Sequence, residues 1–151
     1  MVLRLSIRQV TTDPVDRQIE EWWQALLNIE GIFTVEVSKG LLLEEPHWCI
    51  VELASALKKW LPEGPLGNEF VYTSMDEEQE GLLWFRLVSP DRWQIGSAWE
   101  IFSCTETFCL SVLMSACQEY IAHVEEEVKT VLGLELKSRF LEYSAPIKLN
   151  E

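Results

Sequence analysis

Four residues near the middle of the chain carry side chains that can ligate a metal ion. Glu44, Glu45, His47 and Cys49 lie within a stretch of six residues. Carboxylate, imidazole and thiolate are all zinc ligands, but this spacing matches no established zinc motif. Acidic residues also favour the positive end of a helix, and the sequence predicts that a helix begins here. We therefore expect no metal and no other cofactor.

Nucleophilic catalysis would require a cysteine beside a histidine, and the chain has only His47 and His123. Cys109 and Cys117 fall on the apolar stripe of a predicted helix, where thiols are usually inert. His123 lies four residues from a glutamate on either side, which a solvated helix face explains as well as catalysis does. The sequence contains no nucleophile elbow, phosphate loop or dinucleotide motif. These observations favour a protein that is not an enzyme, although sites recognised only by geometry stay open.

Two of the seven tryptophans fall on the polar side of their predicted elements. Trp48 projects to the polar face of a predicted helix, and Trp84 shares a strand face with Arg86. Tryptophan is over-represented among the residues that dominate binding energy, so an indole on a wet face is a candidate contact. The alternative is that a loop or the C-terminal tail covers these rings.

The densest charge in the chain is a short loop between two predicted strands. Its acids are Asp76, Glu77, Glu78 and Glu80. Such a run is usually a solvated loop, but beside an exposed aromatic it resembles a docking surface for lysine and arginine. The net charge is −13, and residues 44–127 alone hold sixteen acids and four bases. This field repels phosphate backbones, so we expect no nucleic-acid binding, and it attracts a basic partner.

Hydrophobic patterning predicts the elements that must position these residues. Alternation predicts six strands, at Val2–Val10, Ile32–Val37, Leu41–Leu43, Phe70–Thr73, Leu82–Val88 and Trp93–Phe102. Helical spacing predicts three helices, from Asp13 to near Gly31, from Glu44 to Leu61 and from Thr107 to Leu132. Gly133 is the expected C-cap of the last helix, and the run Ser89-Pro90-Asp91-Arg92 predicts a tight turn. Gly96 indicates a bulge or a close approach of another backbone.

The predicted order of elements favours an α+β fold. Strands joined by short turns pair antiparallel, which gives one antiparallel sheet of about five or six strands with three helices packed mainly on one face. The length fits a single domain over residues 1–151. No apolar run is long enough for a membrane span and no signal peptide is evident, so we expect a cytoplasmic protein with reduced cysteines.

Three stretches of the sequence combine aromatic and acidic residues: Glu52–Leu61, Phe70–Phe85 and Arg92–Trp99. In this composition the chain resembles small, acidic, uncharacterised bacterial domains, some of which look like the immunity proteins that accompany toxins. The resemblance covers about Glu52–Phe102 and includes no catalytic signature. It implies a binding role and carries over no functional residues.

The leading hypothesis from the sequence is a non-catalytic acidic binding protein, such as an immunity-type inhibitor of a basic protein. Its contact residues would be Trp48, Trp84 and the acids Asp76, Glu77, Glu78 and Glu80. One alternative is a small-molecule binding module or small enzyme with a pocket between sheet and helices. Another is a homo-oligomer that buries the wet-face tryptophans against a second copy.

Overall fold

Seven strands and two helices form the described part of the chain, which comprises residues 2–12 and 27–133 of a computed structural model. The strands are β1 (Leu3–Thr12), β2 (Ile29–Val37), β3 (Gly40–Cys49), β4 (Phe70–Tyr72), β5 (Leu83–Ser89), β6 (Arg92–Gly96) and β7 (Thr107–Phe108). The helices are α1 (Ile50–Trp60) and α2 (Leu110–Leu132). Most of the helix predicted to begin at Asp13 lies outside the described residues, as does the C-terminal tail.

The strands form two antiparallel sheets instead of one. The first sheet has the order β1-β2-β3, and the second has the order β4-β5-β6-β7. The α+β class is confirmed, whereas the prediction of a single sheet is wrong, and two of the three expected helices lie in the described residues. Alternation shows which face of a strand is buried, but it does not show which strand lies beside it.

The prediction that a helix begins at Glu44 is wrong, because strand β3 continues through this stretch. Glu44 and Glu45 pair with Thr34 and Phe33 of β2, and α1 begins only at Ile50. The pairing shifts register between Gly31 and Phe33, opposite the proline-containing part of β3. Proline is tolerated at bulges and on edge strands, and β3 is an edge strand of its sheet. Three consecutive acidic or proline residues therefore indicated a helix start where the fold has an irregular strand.

Buried side chains from both sheets and both helices form one hydrophobic cluster. The hydroxyl of Tyr120 on α2 donates to the carbonyl of Ile50 on α1 at 2.8 Å, so the two helices are joined inside this core. The predicted apolar stripe of α2 is confirmed over most of its length. Its buried members are Leu113, Cys117, Tyr120, Ile121, Val124 and Val128. Gly133 ends the helix in the left-handed conformation with φ 68°, as predicted.

The tight turn in the second sheet was predicted correctly, but strand β6 ends earlier than predicted. Ser89 and Arg92 pair across the tight turn between β5 and β6. The strand predicted to reach Phe102 stops at Gly96, and the chain then crosses to the first sheet, where the Ile101 amide donates to the Leu42 carbonyl at 2.7 Å. Across the described residues, neither helix is long and apolar enough to cross a membrane.

Candidate functional site

A buried glutamate on α1 positions the start of the acidic loop. Glu52 is only 8% exposed, although helical spacing predicted that it faces away from the core. One of its oxygens accepts from the Tyr72 hydroxyl at 2.7 Å, and the other accepts from the Met75 amide at 3.0 Å. The hydroxyl of Ser74 accepts from the Asp76 amide at 3.1 Å. The loop therefore leaves β4 in a defined conformation.

The loop is also fixed at its far end. The Leu82 amide donates to the Tyr72 carbonyl at 2.8 Å, and the Ala98 amide donates to the Gly81 carbonyl at 2.9 Å. The first bond joins the end of the loop to β4, and the second joins it to the segment that follows β6. A loop that is anchored at both ends presents its charged side chains at defined positions on the surface.

The acidic loop meets two acids of the first sheet. We call the resulting set the acidic rim; it consists of Glu30, Glu45, Asp76, Glu77, Glu78 and Glu80. Burial raises the pKa of Glu45, and the negative charge of Glu77 raises it further, so the two sheets bring like charges together. A carboxylate oxygen of Glu30, one of Asp76 and the Cys49 sulfur all lie within 4.8 Å of one another. Three separate segments therefore contribute to one charged surface.

A shallow cleft lies beside the acidic rim. Its walls are formed by His47, Trp48, Cys49, Tyr72, Ser74, Asp76, Glu77, Leu82 and Trp99. The imidazole Nδ1 of His47 is 3.6 Å from a carboxylate oxygen of Glu30. The indole Nε1 of Trp48 is buried and has no hydrogen-bond partner among the described residues. The cleft thus combines hydrogen-bonding groups, acids and the three aromatic side chains of Trp48, Tyr72 and Trp99.

Trp48 does not occupy the exposed position that the sequence predicted. It is 3% exposed, its ring stacks on Phe33 with centroids 4.5 Å apart, and it lies 5.6 Å from the ring of Tyr72. Because it belongs to a strand and not to a helix, its side chain points to the opposite side from the one that helical counting gave. Trp48 is therefore a core residue that also forms one wall of the cleft.

Trp84 lies on the outer face of the second sheet and is half-buried. Its ring covers Gly96, where an added Cβ would be 2.1 Å from the indole Cζ2. Gly96 therefore marks a close approach, as predicted, but the approaching group is a side chain and not a backbone. The Arg86 guanidinium lies 4.1 Å from the centre of the Trp84 ring and covers part of it. Trp84 and the acidic loop are neighbours through Gly81, whose added Cβ would be 3.8 Å from the indole.

The thiols near histidine are not activated nucleophiles. Burial and the charge of Glu52 raise the pKa of Cys49 to about 12, and its thiol donates to the Leu27 carbonyl at 3.8 Å. Burial also raises the pKa of Cys117 to about 12. His123 lies on the exposed face of α2, with Nε2 3.4 Å from Glu127. Without a bound metal ion both thiols keep their protons near neutral pH, so neither cysteine is an activated nucleophile.

Sequence reasoning missed three members of this site. Glu30 was placed near the end of a helix and Trp99 on an ordinary strand face, and Met75 was given no role. Their proximity arises from pairing across β2 and β3 and from the crossing of residues 97–106 toward the first sheet. No local pattern carries this information, because the contributing segments are far apart in the chain.

We expect the change Tyr72→Phe to lower the free energy of unfolding by about 1.5–3 kcal/mol, the usual value for a hydrogen bond to a charged group. Burial and the neighbouring Glu52 raise the pKa of Tyr72, so its hydroxyl stays a donor. Denaturant unfolding measures the loss, and amide exchange at Met75 should become faster. The matched control is Tyr120→Phe, which removes a bond to a neutral carbonyl and should cost about 1 kcal/mol. Equal losses would contradict the assignment of Glu52 as a charged anchor.

Together, the fold and the site define an acidic α+β protein with two antiparallel sheets around one core and a charged cleft at the surface. The chain belongs to the family described as a domain of unknown function, DUF7878, whose model matches residues 6–130. No match was found among curated proteins, and none was found among solved structures. The family description states no activity, so any functional conclusion depends on the site itself.

Proposed function

We propose that this protein is a non-catalytic binding protein whose acidic rim docks a basic protein partner, in the manner of an immunity-type inhibitor. The observation that carries the proposal is the meeting of like charges from the first sheet and the acidic loop. Carboxylate oxygens of Glu30 and Asp76 lie within 4.8 Å of each other, and the charge of Glu77 adds to burial in raising the pKa of Glu45. Repulsion between like charges destabilises the folded state. A role in binding would account for a protein that places these acids side by side. Lysine and arginine side chains of a partner would relieve the repulsion on contact.

Apolar side chains next to the acidic rim support a protein partner over a simple counter-ion. Met75 is 62% exposed, and Val71 is 60% exposed. Val71 pairs with Trp84, so both lie on the same face of the second sheet. Interfaces commonly combine an apolar centre with a charged rim that guides the approach of the partner. Trp84 adds to this face, although Arg86 already covers part of its ring.

The edge of the second sheet lies beside the same surface. β4 is the terminal strand of its sheet and pairs only with β5 among the described residues. Its three residues are too few to form a long unpaired edge, which limits uncontrolled association. The proposed contact therefore comprises the acidic rim, Met75 and the outer face of β4 and β5.

The second candidate function is a small-molecule binding module that uses the cleft. The observation in its favour is the buried Nε1 of Trp48, which has no acceptor within residues 2–12 and 27–133. A buried indole N–H usually has a partner, so a bound ligand could supply one. A compound that co-purifies with the protein, and raises its melting temperature when added back, would favour this candidate over the first.

We expect the charge reversal Glu78→Lys with Glu80→Lys to weaken binding of the basic partner by at least about 10-fold, because rim charges steer association. The partner is captured from the native host, identified, purified and bound again at low and at high salt. The affinity of the unmodified protein should fall as salt rises, since exposed charges are screened. The measurement is the dissociation constant of the purified pair under each condition.

The matched control is Glu119→Lys with Glu126→Lys on the exposed face of α2. It changes the net charge by the same amount at a site away from the acidic rim. The proposal fails if both double variants weaken binding equally, or if neither salt nor the rim reversal affects it. Light scattering of the free protein separates this case from a homo-oligomer, in which a second copy would occupy the surface.

A further inference from the structure

Three side chains with metal-binding chemistry, Glu30, Cys49 and Asp76, meet at the junction of the two sheets, and His47 lies beside Glu30. Glu30 on β2 pairs directly with Cys49 on β3, and His47 lies two residues before Cys49 on the same face of that strand. Asp76 approaches from the acidic loop. Oxygens of Glu30 and Asp76 lie within 4.8 Å of each other and of the Cys49 sulfur. The Nδ1 atom of His47 is 3.6 Å from Glu30.

An independent observation at the same place indicates a bound species. Trp48 lies between His47 and Cys49 in the chain, and its side chain is only 3% exposed. Together with these two residues and Asp76, it lines the cleft. Its Nε1–H has no acceptor in the described protein. Buried donors of this kind are usually satisfied, so an acceptor that enters the cleft is expected. Water or an anion that completes the coordination of a metal ion would be such an acceptor.

We propose that Glu30, His47, Cys49 and Asp76 form a binding site for a divalent transition-metal ion, with zinc as the best fit. One thiolate, one imidazole and two carboxylates are the ligand types that zinc accepts in four-coordinate sites. The sulfur and nitrogen donors argue against calcium and magnesium, which prefer oxygen ligands alone. Ligand atoms around zinc lie about 3.5 Å apart. The atoms of Glu30, Cys49 and Asp76 lie within 4.8 Å of one another, so each pair would close by no more than about 1.3 Å on binding.

The proposed site differs from a general accumulation of cations on an acidic surface. Three of its four ligands are on the paired strands β2 and β3, and only Asp76 comes from a loop. Glu52 holds the start of that loop by accepting from the Met75 amide, so the position of the next residue, Asp76, is restricted. An ion at this site would connect the acidic loop to the first sheet. This inference does not depend on the proposed protein partner.

The first test uses cobalt as a spectroscopic replacement for zinc in the full-length protein. After treatment with a chelator, the protein is titrated with Co²⁺ under reducing conditions. We expect one ion per chain and a thiolate-to-cobalt charge-transfer band, because Cys49 is a ligand. The band should disappear in Cys49→Ser and persist in the control Cys109→Ser, whose thiol lies outside the cluster. Absence of the band in the unmodified protein would overturn the proposal.

The second test does not depend on a buried substitution. Asp76 and Glu78 are both exposed acids of the same loop, so Asp76→Asn and Glu78→Gln remove equal charge without disturbing the core. Zinc affinity is measured by competition with a coloured chelator. We expect Asp76→Asn to weaken it by more than about 10-fold, since loss of even an outer-shell partner commonly costs that much. Glu78→Gln should leave it unchanged. Equal weakening in both variants, or several weak ions per chain, would show adventitious binding to acids and overturn the proposal.

Discussion

Replacing Trp48 by alanine is expected to lower the free energy of unfolding by about 3–5 kcal/mol, the range for removing a large aromatic from a core. The side chain is 3% exposed and stacks on Phe33, whose own side chain is fully buried. A loss of this size is a large part of the stability of a typical domain. Urea unfolding of the unmodified and variant proteins measures it, provided that both give a single cooperative transition.

The matched control for this prediction is Trp84→Ala, which removes the same side chain from a half-buried position. Its loss should be smaller, because part of the Trp84 ring already contacts solvent or the Arg86 guanidinium. The sequence predicted the same role for both tryptophans, namely an exposed contact, and removing an exposed side chain usually changes stability little. Similar small losses for the two variants would support that earlier interpretation and contradict the buried position of Trp48.

Replacing Gly96 by alanine is expected to destabilise the second sheet by about 1–3 kcal/mol, the usual cost of overpacking. An alanine Cβ would be 2.1 Å from Cζ2 of Trp84 and 2.6 Å from Cε2, so the indole has to move. Trp84 and Gly96 are directly paired on β5 and β6, which leaves the ring little room to shift along the strand. Denaturant unfolding of Gly96→Ala measures the loss.

A double-mutant cycle identifies the cause of this effect. In a protein that already carries Trp84→Ala, the change Gly96→Ala removes no ring contact, so it should be neutral or slightly stabilising. The coupling energy between the two positions should then be about 1–3 kcal/mol, which is typical of residues in direct contact. Additive effects would mean that Gly96 is required by its own backbone and that the position of the Trp84 ring has been misassigned.

The proposed metal site and the proposed docking surface share Glu30 and Asp76 but make separate predictions. Reversal of Glu78 and Glu80 should reduce partner binding without a change in the cobalt spectrum. Loss of Cys49 should remove the spectrum, whereas the net charge of the acidic rim stays the same. The two proposals can therefore succeed or fail independently, because each depends on side chains that the other does not use.

Local patterns predicted several elements correctly. Alternation at Leu3, Leu5 and Ile7 predicted β1, and helical spacing predicted the buried stripe of α2 together with its Gly133 C-cap. The tight turn between β5 and β6 followed from Pro90. These features are determined by chain geometry within a few residues, where side-chain period and backbone preference act directly.

The stretch around Trp48 shows where local patterns were insufficient. Acids followed by proline are favourable at a helix start and are also tolerated on an irregular edge strand, so residue types alone did not distinguish the two. Pairing with β2 decided between them and moved Trp48 from the surface to the core. The same pairing placed Cys49 opposite Glu30 and so created the cluster that sequence spacing had not indicated.

By itself, the sequence determined the acidic character of the chain, its α+β class and the segments that become α2 and the β5–β6 hairpin. Only the tertiary structure decided that the strands divide into two sheets and that Glu52 is buried beneath the acidic loop. It also decided that Glu30, Cys49 and Asp76 meet, with His47 beside Glu30. The physical reason is that period and propensity act along the chain, whereas a site is formed by contacts between segments that are distant in it.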